Sequence, residues 1–450
     1  MERGRAHSDE LLRGREAKAL VQPDRNLATA LVLGVLRWQI RLDREINQLL
    51  KRPGAKLDPE IRIALRLGAF QLLFLDRIPA HAAIDESVEL ALKAGHRFAS
   101  GMVNAVLRKL SVAPRQELPA TSAKELALAE AHPLWMVERW VEFYGLEATL
   151  AICRHGQSQS VLALRLQSPA AEAEIVECGI ELAPGELLKA ARTVVSGDVT
   201  ATAAFREGRV RIQDEGSQLI GELAACSGAD LDQKENREQR SEIRDQKERL
   251  LDACAAPGGK TLILAERHPE ARIVACEANE QRFEALRERM GAFTGHIECR
   301  HADASALAEE AAYDLALADV PCSGTGTLGR NPEIRHRLRL EDLAVQAERQ
   351  KAILRAALRA VRPGGRVVYS TCSLEPEENE QVIAAVLAED PKARLASLRT
   401  YIDALNDQKV LTSEGAERLR SRLTHEGALR LLPGSVATDG FYVAAMEAGG

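Results

Sequence analysis

From residue 249 onwards, five short apolar runs alternate with stretches of helical character, and this alternation constrains the fold more than any other feature of the chain. Parallel strands joined by right-handed helical crossovers build a sheet with helices on both faces. In such a sheet, ligands bind at the carboxyl ends of the strands. We therefore predict a doubly wound α/β domain over residues 250–450. Its strands are expected in RLLDACAA, ARIVACEA, HIECRHAD, DLALADV and GRVVYST.

The first part of the chain has a helical pattern. Apolar residues recur at helical spacing in RNLATALVLGVLRWQI, AAIDESVELALKAG and GMVNAVLRKL, and Gly95 is placed to end the second of these helices. We predict a small all-α domain over residues 1–125. The β-like segments VLALRLQ and GRVRIQ predict a small α+β linking domain over residues 133–229. Residues 230–249 contain 13 charged positions of 20 and are interpreted as an insertion without an assigned function.

Length, hydropathy and charge narrow the class of protein. A chain of 450 residues is long enough for two to four domains. No window approaches the ~20 apolar residues of a membrane span, and the polar start MERGRAHSDE does not resemble a signal peptide, so a cytoplasmic location is expected. Residues 1–115 carry 20 Lys and Arg against 13 Asp and Glu, although the whole chain has a net charge of −6. This basic segment suits a polyanion-binding patch, with a solvated helical surface as the alternative.

The cysteine pattern leaves several roles open. None of the eight cysteines forms a C-x-x-C pair, which disfavours a zinc site and a disulfide framework, and we predict no metal. Cys322 in LADVPCSGTGT and Cys372 in YSTCSLEPEENE each follow a predicted strand. Free cysteines are mostly small buried hydrophobes. Packing residues, a redox pair, metal ligands and catalytic groups all fit this placement.

The segment LLDACAAPGGKT predicts a strand, a turn of small residues and a helix start. Small residues let the backbone approach a ligand, and the helix N-terminus offers free N–H groups. The segment is not a P-loop, because Cys254 stands where that motif needs its first glycine, and G-x-G-x-x-G is absent too. The predicted ligand-binding loop is Cys254, Ala255, Ala256, Pro257, Gly258, Gly259 and Lys260.

Three acids follow the next predicted strands. Glu277 comes about 20 residues after the glycine turn, where an acid can bind ribose hydroxyls. Asp303 ends the third strand, where it can contact an adenine edge, and Asp319 ends the fourth. Each acid alone fits a surface loop. In series they suit an adenosine ligand with a short zwitterionic tail better than a triphosphate, since no Mg²⁺-holding pair is evident.

Several segments resemble the signature motifs of the RNA cytosine-carbon-5 methyltransferases of the RsmB/NOP/Sun family. They are DACAAPGGKT, ADVPCSGTGTLGRNPEI, YSTCSLEPEENE, QDEGSQL and RLLPGSVATDGFYVA. The helical first domain resembles the NusB-like RNA-binding domain, and this domain order is that of the bacterial 16S rRNA methyltransferases in the family. The resemblance covers nearly the whole chain. It implies a Rossmann-like class I methyltransferase domain, S-adenosyl-L-methionine as cofactor and 16S rRNA as partner, in a protein that we expect to be monomeric.

The resemblance also implies a division of roles. Methylation of cytosine carbon 5 needs a thiolate that adds to carbon 6 and a group that drives its later elimination. By motif position, Cys372 is the nucleophile and Cys322 assists product release, as base or as relay. Asp319 contacts the cytosine edge and closes the donor pocket. The loop from Cys254 to Lys260 binds S-adenosyl-L-methionine, Glu277 its ribose hydroxyls and Asp303 its adenine.

Alternatives and departures accompany this interpretation. A tRNA methyltransferase on the same scaffold and a non-catalytic NusB-like RNA-binding factor are the other functions considered. A DNA enzyme is disfavoured, because DNA enzymes of this chemistry are expected to use the PC cysteine and to lack the TC one.

The family usually has Asp at position 277, so the longer Glu277 shifts the reach of the charge. The Asn-Pro-Pro…Leu-Arg-Val-Asn stretch of the family is altered here to RHGQSQSVLALRLQS.

Overall fold

The computed structural model describes residues 8–12, 14–114, 118–226, 247–291 and 296–449. The chain divides into two compact units. The first unit comprises Met1–Gln159 and Thr327–Arg337, and the second comprises Ser160–Gly326 and Leu338–Gly450. Most of the predicted insertion, residues 230–246, lies outside the described residues. The domain boundaries inferred from the sequence stay predictions, and the helix that follows residue 133 groups with the first unit.

The first unit is helical throughout its described residues, which confirms the predicted all-α domain. Gly95 has φ 90°, a left-handed conformation that ends a helix at low cost for glycine. Apolar faces of the longer helices meet in one core around Leu42, Leu65 and Leu107. The helices are Ser8–Leu12, Arg15–Lys18, Gln22–Leu49, Pro59–Phe74, Ala80–Lys93, Arg97–Val112, Ala123–Ala129, Leu134–Gln157, interrupted at Gly145, and Ile334–Arg337.

The second unit begins with a small antiparallel sheet, as the predicted α+β linking domain requires. Its strand order is β2-β3-β1-β4. Ile175, Val199 and Ala204 from its short helices pack on the sheet. The strands are β1 Leu162–Leu166, β2 Glu181–Pro184, β3 Ala191–Ser196 and β4 Val210–Ile212; the helices are Pro169–Glu177, Ala203–Arg206 and Glu215–Ala224.

A larger sheet forms the rest of this unit. Strands β5 to β9 run parallel, which confirms the doubly wound Rossmann-like fold. Three antiparallel strands, β10 to β12, extend the sheet beyond β9, and the sequence pattern did not predict them. The order is β10-β12-β9-β8-β5-β6-β7, with β11 paired to β12. The strands are β5 Arg249–Asp252, β6 Arg272–Glu277, β7 Ile297–His301, β8 Tyr313–Asp319, β9 Val361–Thr371, β10 Arg394–Ala396, β11 Leu429–Leu431 and β12 Phe441–Glu447.

Helices cover both faces of the larger sheet, because its central strands are apolar on both sides. Leu250 on β5 belongs to the core of one face and Leu251 to the core of the other. No helix in the described part of the chain is long and apolar enough to span a membrane. The helices that follow β5 are Gly259–Arg267, Glu280–Gly291, Leu340–Ala360, Glu380–Glu389, Leu398–Asp407 and Ser413–Arg420.

Candidate active site

A cavity of about 700 Å³, including space open to solvent, lies at the carboxyl ends of the parallel strands. From β5 the chain builds the sheet to one side through β6 and β7, and then crosses to the other side of β5 to add β8 and β9. Doubly wound sheets bind their ligands at such a switch point. The lining brings together most of the residues singled out in the sequence: Cys254, Ala256, Glu277, Asp303, Asp319, Cys322 and Cys372. A second crevice adjoins it and is lined by Ala255, Pro257, Gly259 and Lys260, again with Cys254, Ala256 and Asp319.

The predicted loop turns sharply between β5 and the helix Gly259–Arg267. Gly258 has φ 96° and caps that helix, so an L side chain here is strained. A Cβ atom at Gly258 would also lie 2.6 Å from Cε of Met290. Beneath the loop, Thr261 donates a hydrogen bond to the buried Asp252 at 2.7 Å. Burial raises the pKa of Asp252 to about 6.

Glu277 and Asp303 reach the cavity from neighbouring strand ends. Glu277 is buried, its Oε1 accepts a hydrogen bond from the backbone N–H of Asn279 at 2.8 Å, and its Oε2 lies 3.4 Å from Nη1 of Arg282. Asp303 accepts hydrogen bonds from Ser305 N–H at 2.9 Å and from the Ser305 hydroxyl at 2.8 Å. These bonds lower the pKa of Asp303 and keep it a carboxylate at neutral pH.

Asp319 is held in place at the end of β8 by two donors. Lys260 Nζ donates to its Oδ2 at 2.6 Å, and the Ser370 hydroxyl donates to its Oδ1 at 2.7 Å. Burial by itself lowers the pKa of Lys260, but the charge and hydrogen bond of Asp319 outweigh burial and raise it. Lys260 is therefore an ammonium paired with Asp319.

The two cysteines meet at the wall of the cavity. Cys372 directly follows β9, Cys322 is the third residue after β8, and their Sγ atoms are 3.3 Å apart. The hydrogen bond with Cys372, burial, and the negative charges of Cys372 and Glu378 hold the pKa of Cys322 well above its ordinary value. Cys322 therefore keeps its proton at neutral pH. Cys254, in the same cavity, also has a raised pKa because it is buried.

Sequence reasoning missed several residues that the fold places here. Arg282 and Arg349 line the cavity from helices that carry no motif, so nothing in their local sequence points to the site. Ser370 and Glu378 both lie within the quoted YSTCSLEPEENE, and that segment was the available signal. Within the described residues, no group of three or more His, Cys, Asp or Glu side chains is arranged to hold a metal ion.

Comparison with known proteins adds relatives to this geometry. Residues 243–447 match the family described as 16S rRNA methyltransferase RsmB/F, and residues 2–111 match the NusB family. The probable ribosomal RNA small subunit methyltransferase B of Bacillus subtilis is 33% identical over 463 residues, covering 99% of this chain and 96% of the relative. The ribosomal RNA small subunit methyltransferase B of Pseudomonas putida is 33% identical over 387 residues, covering 84% of each chain.

One solved structure supports the fold. The crystal structure of PH0851 superposes with a TM-score of 0.73 and covers 95% of this chain and 91% of that chain. Its sequence identity is 24%, so the similarity concerns the arrangement of the elements.

Proposed function

This chain belongs to the 16S rRNA methyltransferase RsmB/F family, and we propose that it methylates carbon 5 of a cytosine in 16S rRNA through a covalent adduct with Cys372. It is an RNA methyltransferase that uses S-adenosyl-L-methionine. One observation carries the finer proposal: two cysteines with sulfurs 3.3 Å apart, one of them kept protonated, border the cavity that holds Glu277 and Asp303.

The cavity fits the methyl donor. Glu277 and Asp303 offer carboxylate acceptors for ribose hydroxyls and for an exocyclic amino group, and Ile353 adds an apolar surface for a base. Lys260 is paired with Asp319 and is therefore not free to bind a triphosphate. When bound, S-adenosyl-L-methionine supplies a methyl group from its positively charged sulfonium centre.

Cys372 is the nucleophile in this proposal. Its thiolate adds to carbon 6 of the cytosine, and carbon 5 becomes nucleophilic enough to accept the methyl group. Lys260 supports the thiolate electrostatically, since the two charges interact. Asp319 is held by Lys260 and Ser370 and accepts a hydrogen bond from the amino edge of the cytosine, which orients the ring.

Cys322 acts in the second half of the reaction. Before attack it keeps its proton, because its hydrogen bond with Cys372, its burial and the proposed Cys372 thiolate all raise its pKa. Once Cys372 is a neutral thioether bonded to carbon 6, the two effects of Cys372 on the pKa of Cys322 disappear. Cys322 can then lose its proton and serve as the base that takes the carbon-5 proton while the Cys372 thiolate leaves.

The wider context follows from the substrate. A protein that modifies 16S rRNA works in the cytoplasm, and we propose that location together with a monomeric state. The NusB-like first unit and its basic segment provide the RNA-binding surface in this proposal. A tRNA methyltransferase or a non-catalytic RNA-binding factor is a weaker interpretation, because the matched family is named for 16S rRNA methylation and both cysteine motifs are intact.

Two cysteine variants test the proposal on rRNA with a labelled methyl donor. Cys372→Ala is expected to abolish transfer, by at least about 1,000-fold, while donor binding measured by calorimetry is unchanged. Cys322→Ala is expected to trap a covalent protein–RNA adduct, visible as a shifted band on a denaturing gel. Cys178→Ala, at an exposed position, is the control and should behave as the wild type.

Wild-type turnover in Cys372→Ala would refute the nucleophile assignment. Normal turnover without an adduct in Cys322→Ala would remove its release role. Bisulfite mapping of rRNA from a strain that lacks the protein checks the product, and the expected result is the loss of one methylated cytosine.

A further inference from the structure

A buried carboxylate, Glu378, lies next to the two cysteine loops but does not line the cavity. It belongs to the short turn Pro376–Glu378 and its side chain is inaccessible to solvent. Its Oε1 accepts hydrogen bonds from Ser323 N–H at 2.8 Å and from Gln350 Nε2 at 3.0 Å. Its Oε2 accepts from the hydroxyl of Ser323 and from the hydroxyl of Ser373, the latter at 2.5 Å. Four hydrogen bonds therefore satisfy this carboxylate.

The two serines are the residues that follow the two cysteines. Ser323 directly follows Cys322 in the chain, and Ser373 directly follows Cys372. Their hydroxyl oxygens are 3.0 Å apart and share Oε2 of Glu378. One carboxylate thus links the backbone that carries one cysteine to the backbone that carries the other, although 50 residues separate the two.

The charge of Glu378 makes this link strong. Hydrogen bonds to a buried carboxylate are about twice as strong as those between neutral groups. A neutral amide in its place offers one acceptor oxygen instead of two, and its N–H₂ group faces either the two hydroxyls or the two N–H groups that donate to the carboxylate. A shift of about 1 Å in a reacting group costs about 100-fold in rate. Loss of this link is therefore expected to affect the reaction at the sulfurs more than binding in the cavity.

We propose that Glu378 is a positioning residue: through Ser323 and Ser373 it sets the separation of the Cys322 and Cys372 sulfurs. The catalytic importance of this separation rests on the proposed function, because only a reaction that uses both sulfurs requires it. Glu378 itself touches neither substrate nor cofactor. A purely structural role would instead change stability without changing the relation between the two sulfurs.

The first test measures the sulfurs directly, without catalysis. Diamide oxidises two thiols to a disulfide, and its N=N bond takes up the two protons and two electrons that the thiols lose. From 3.3 Å the sulfurs need only a small movement to reach a bond length of about 2.05 Å. We expect rapid formation of the Cys322–Cys372 link in the wild type, quantified by mass spectrometry of the linked peptides, and formation about tenfold slower in Glu378→Gln.

The matched control is Glu222→Gln. Glu222 is equally buried in the second unit and is bonded to Arg165 and Arg267, away from both cysteine loops. Its substitution should lower stability and leave the rate of disulfide formation as in the wild type. If Glu378→Gln does not fold, Ser323→Ala and Ser373→Ala each remove one of the hydroxyls that donate to Glu378 and take its place in the test.

The second test is kinetic. Glu378→Gln is expected to lower kcat about 100-fold and to leave the KM for S-adenosyl-L-methionine unchanged, since Glu378 does not line the donor cavity. A wild-type rate of disulfide formation, or a kcat within about threefold of the Glu222→Gln control, overturns the proposal. If Glu378→Gln slows disulfide formation but Cys372→Ala keeps full activity, the positioning role of Glu378 is supported and the proposed function is refuted.

Discussion

At the scale of single residues, the strand ends give similar acids different environments. Asp252 at the end of β5 is buried, with one hydroxyl donor and a pKa of about 6. Asp303 is exposed, and two hydrogen bonds from Ser305 lower its pKa. Asp319 is tied to the Lys260 ammonium. Environment, rather than residue type, thus decides which acid supports the loop and which is available to a ligand.

Asp303→Asn tests the donor pocket at this scale. The amide oxygen can still accept from Ser305, but the new N–H₂ group faces the adenine amino group that the carboxylate is proposed to bind. We expect affinity for S-adenosyl-L-methionine to fall about tenfold, as one hydrogen bond is lost, and calorimetry measures it.

The control for this variant is Asp390→Asn. Asp390 accepts a hydrogen bond from the backbone two residues on, Lys392 N–H at 3.2 Å, as Asp303 does from Ser305, but it does not line the cavity. Unchanged affinity in Asp303→Asn would refute the contact with adenine.

At the scale of elements, the buried side chain of Arg335 helps to anchor the segment Thr327–Arg337 in the first unit. The guanidinium of Arg335 donates to carbonyl oxygens of Gly156 at 2.9 Å and Arg37 at 3.2 Å, with longer contacts to Leu328 and Ala131. Burial lowers the pKa of Arg335 to about 9. One guanidinium group therefore donates hydrogen bonds to backbone carbonyls from several segments of this unit.

Arg335→Met removes these bonds while keeping an unbranched chain. We expect the free energy of unfolding to fall by about 3 kcal/mol, because buried carbonyls lose their donors. Denaturant unfolding followed by tryptophan fluorescence measures it, since Trp38, Trp135 and Trp140 all lie in the first unit.

Arg52→Met makes the same substitution at an exposed position of that unit and should change stability by less than about 0.5 kcal/mol. Equal stability of Arg335→Met and Arg52→Met would mean that the burial cost of the guanidinium cancels its hydrogen bonds.

At the scale of the whole molecule, the two units respond to acid in opposite directions near neutral pH. In the first unit, burial lowers the pKa of His336 from 6.5 to about 4, so this histidine stabilises the fold above pH 6.5 and the contribution is lost as pH falls towards 4. In the second unit, the pKa of His268 is raised by Glu248 against the effect of burial, and that of Asp252 is raised by burial. These groups stabilise the fold at low pH, and the contribution is lost as pH rises.

Acidification is therefore expected to destabilise the first unit selectively. Between pH 7.5 and 5, His336 alone accounts for a loss of about 2 kcal/mol, read from the tryptophan unfolding curve. His336→Gln, which can still donate to the Leu36 carbonyl, should remove that part of the pH dependence.

His81→Gln, at an exposed position of the same unit, should retain the wild-type pH dependence. An identical pH dependence in His336→Gln and the wild type would contradict the assignment.

The sequence by itself determined the fold classes and most of the cavity lining. Hydrophobic periodicity reports on each helix and strand locally, and parallel strands must present their carboxyl ends at one edge, so the loop from Cys254, together with Glu277, Asp303 and Asp319, could be placed in advance. The antiparallel strands β10 to β12 were not foreseen, because β10 and β11 have only three residues each and the longer β12 is buried on both faces, so its sequence does not alternate between apolar and polar residues. Only the tertiary structure decided that Cys322 and Cys372 touch and that Glu378 joins their loops, because contacts across 50 residues depend on chain crossovers that no local pattern encodes.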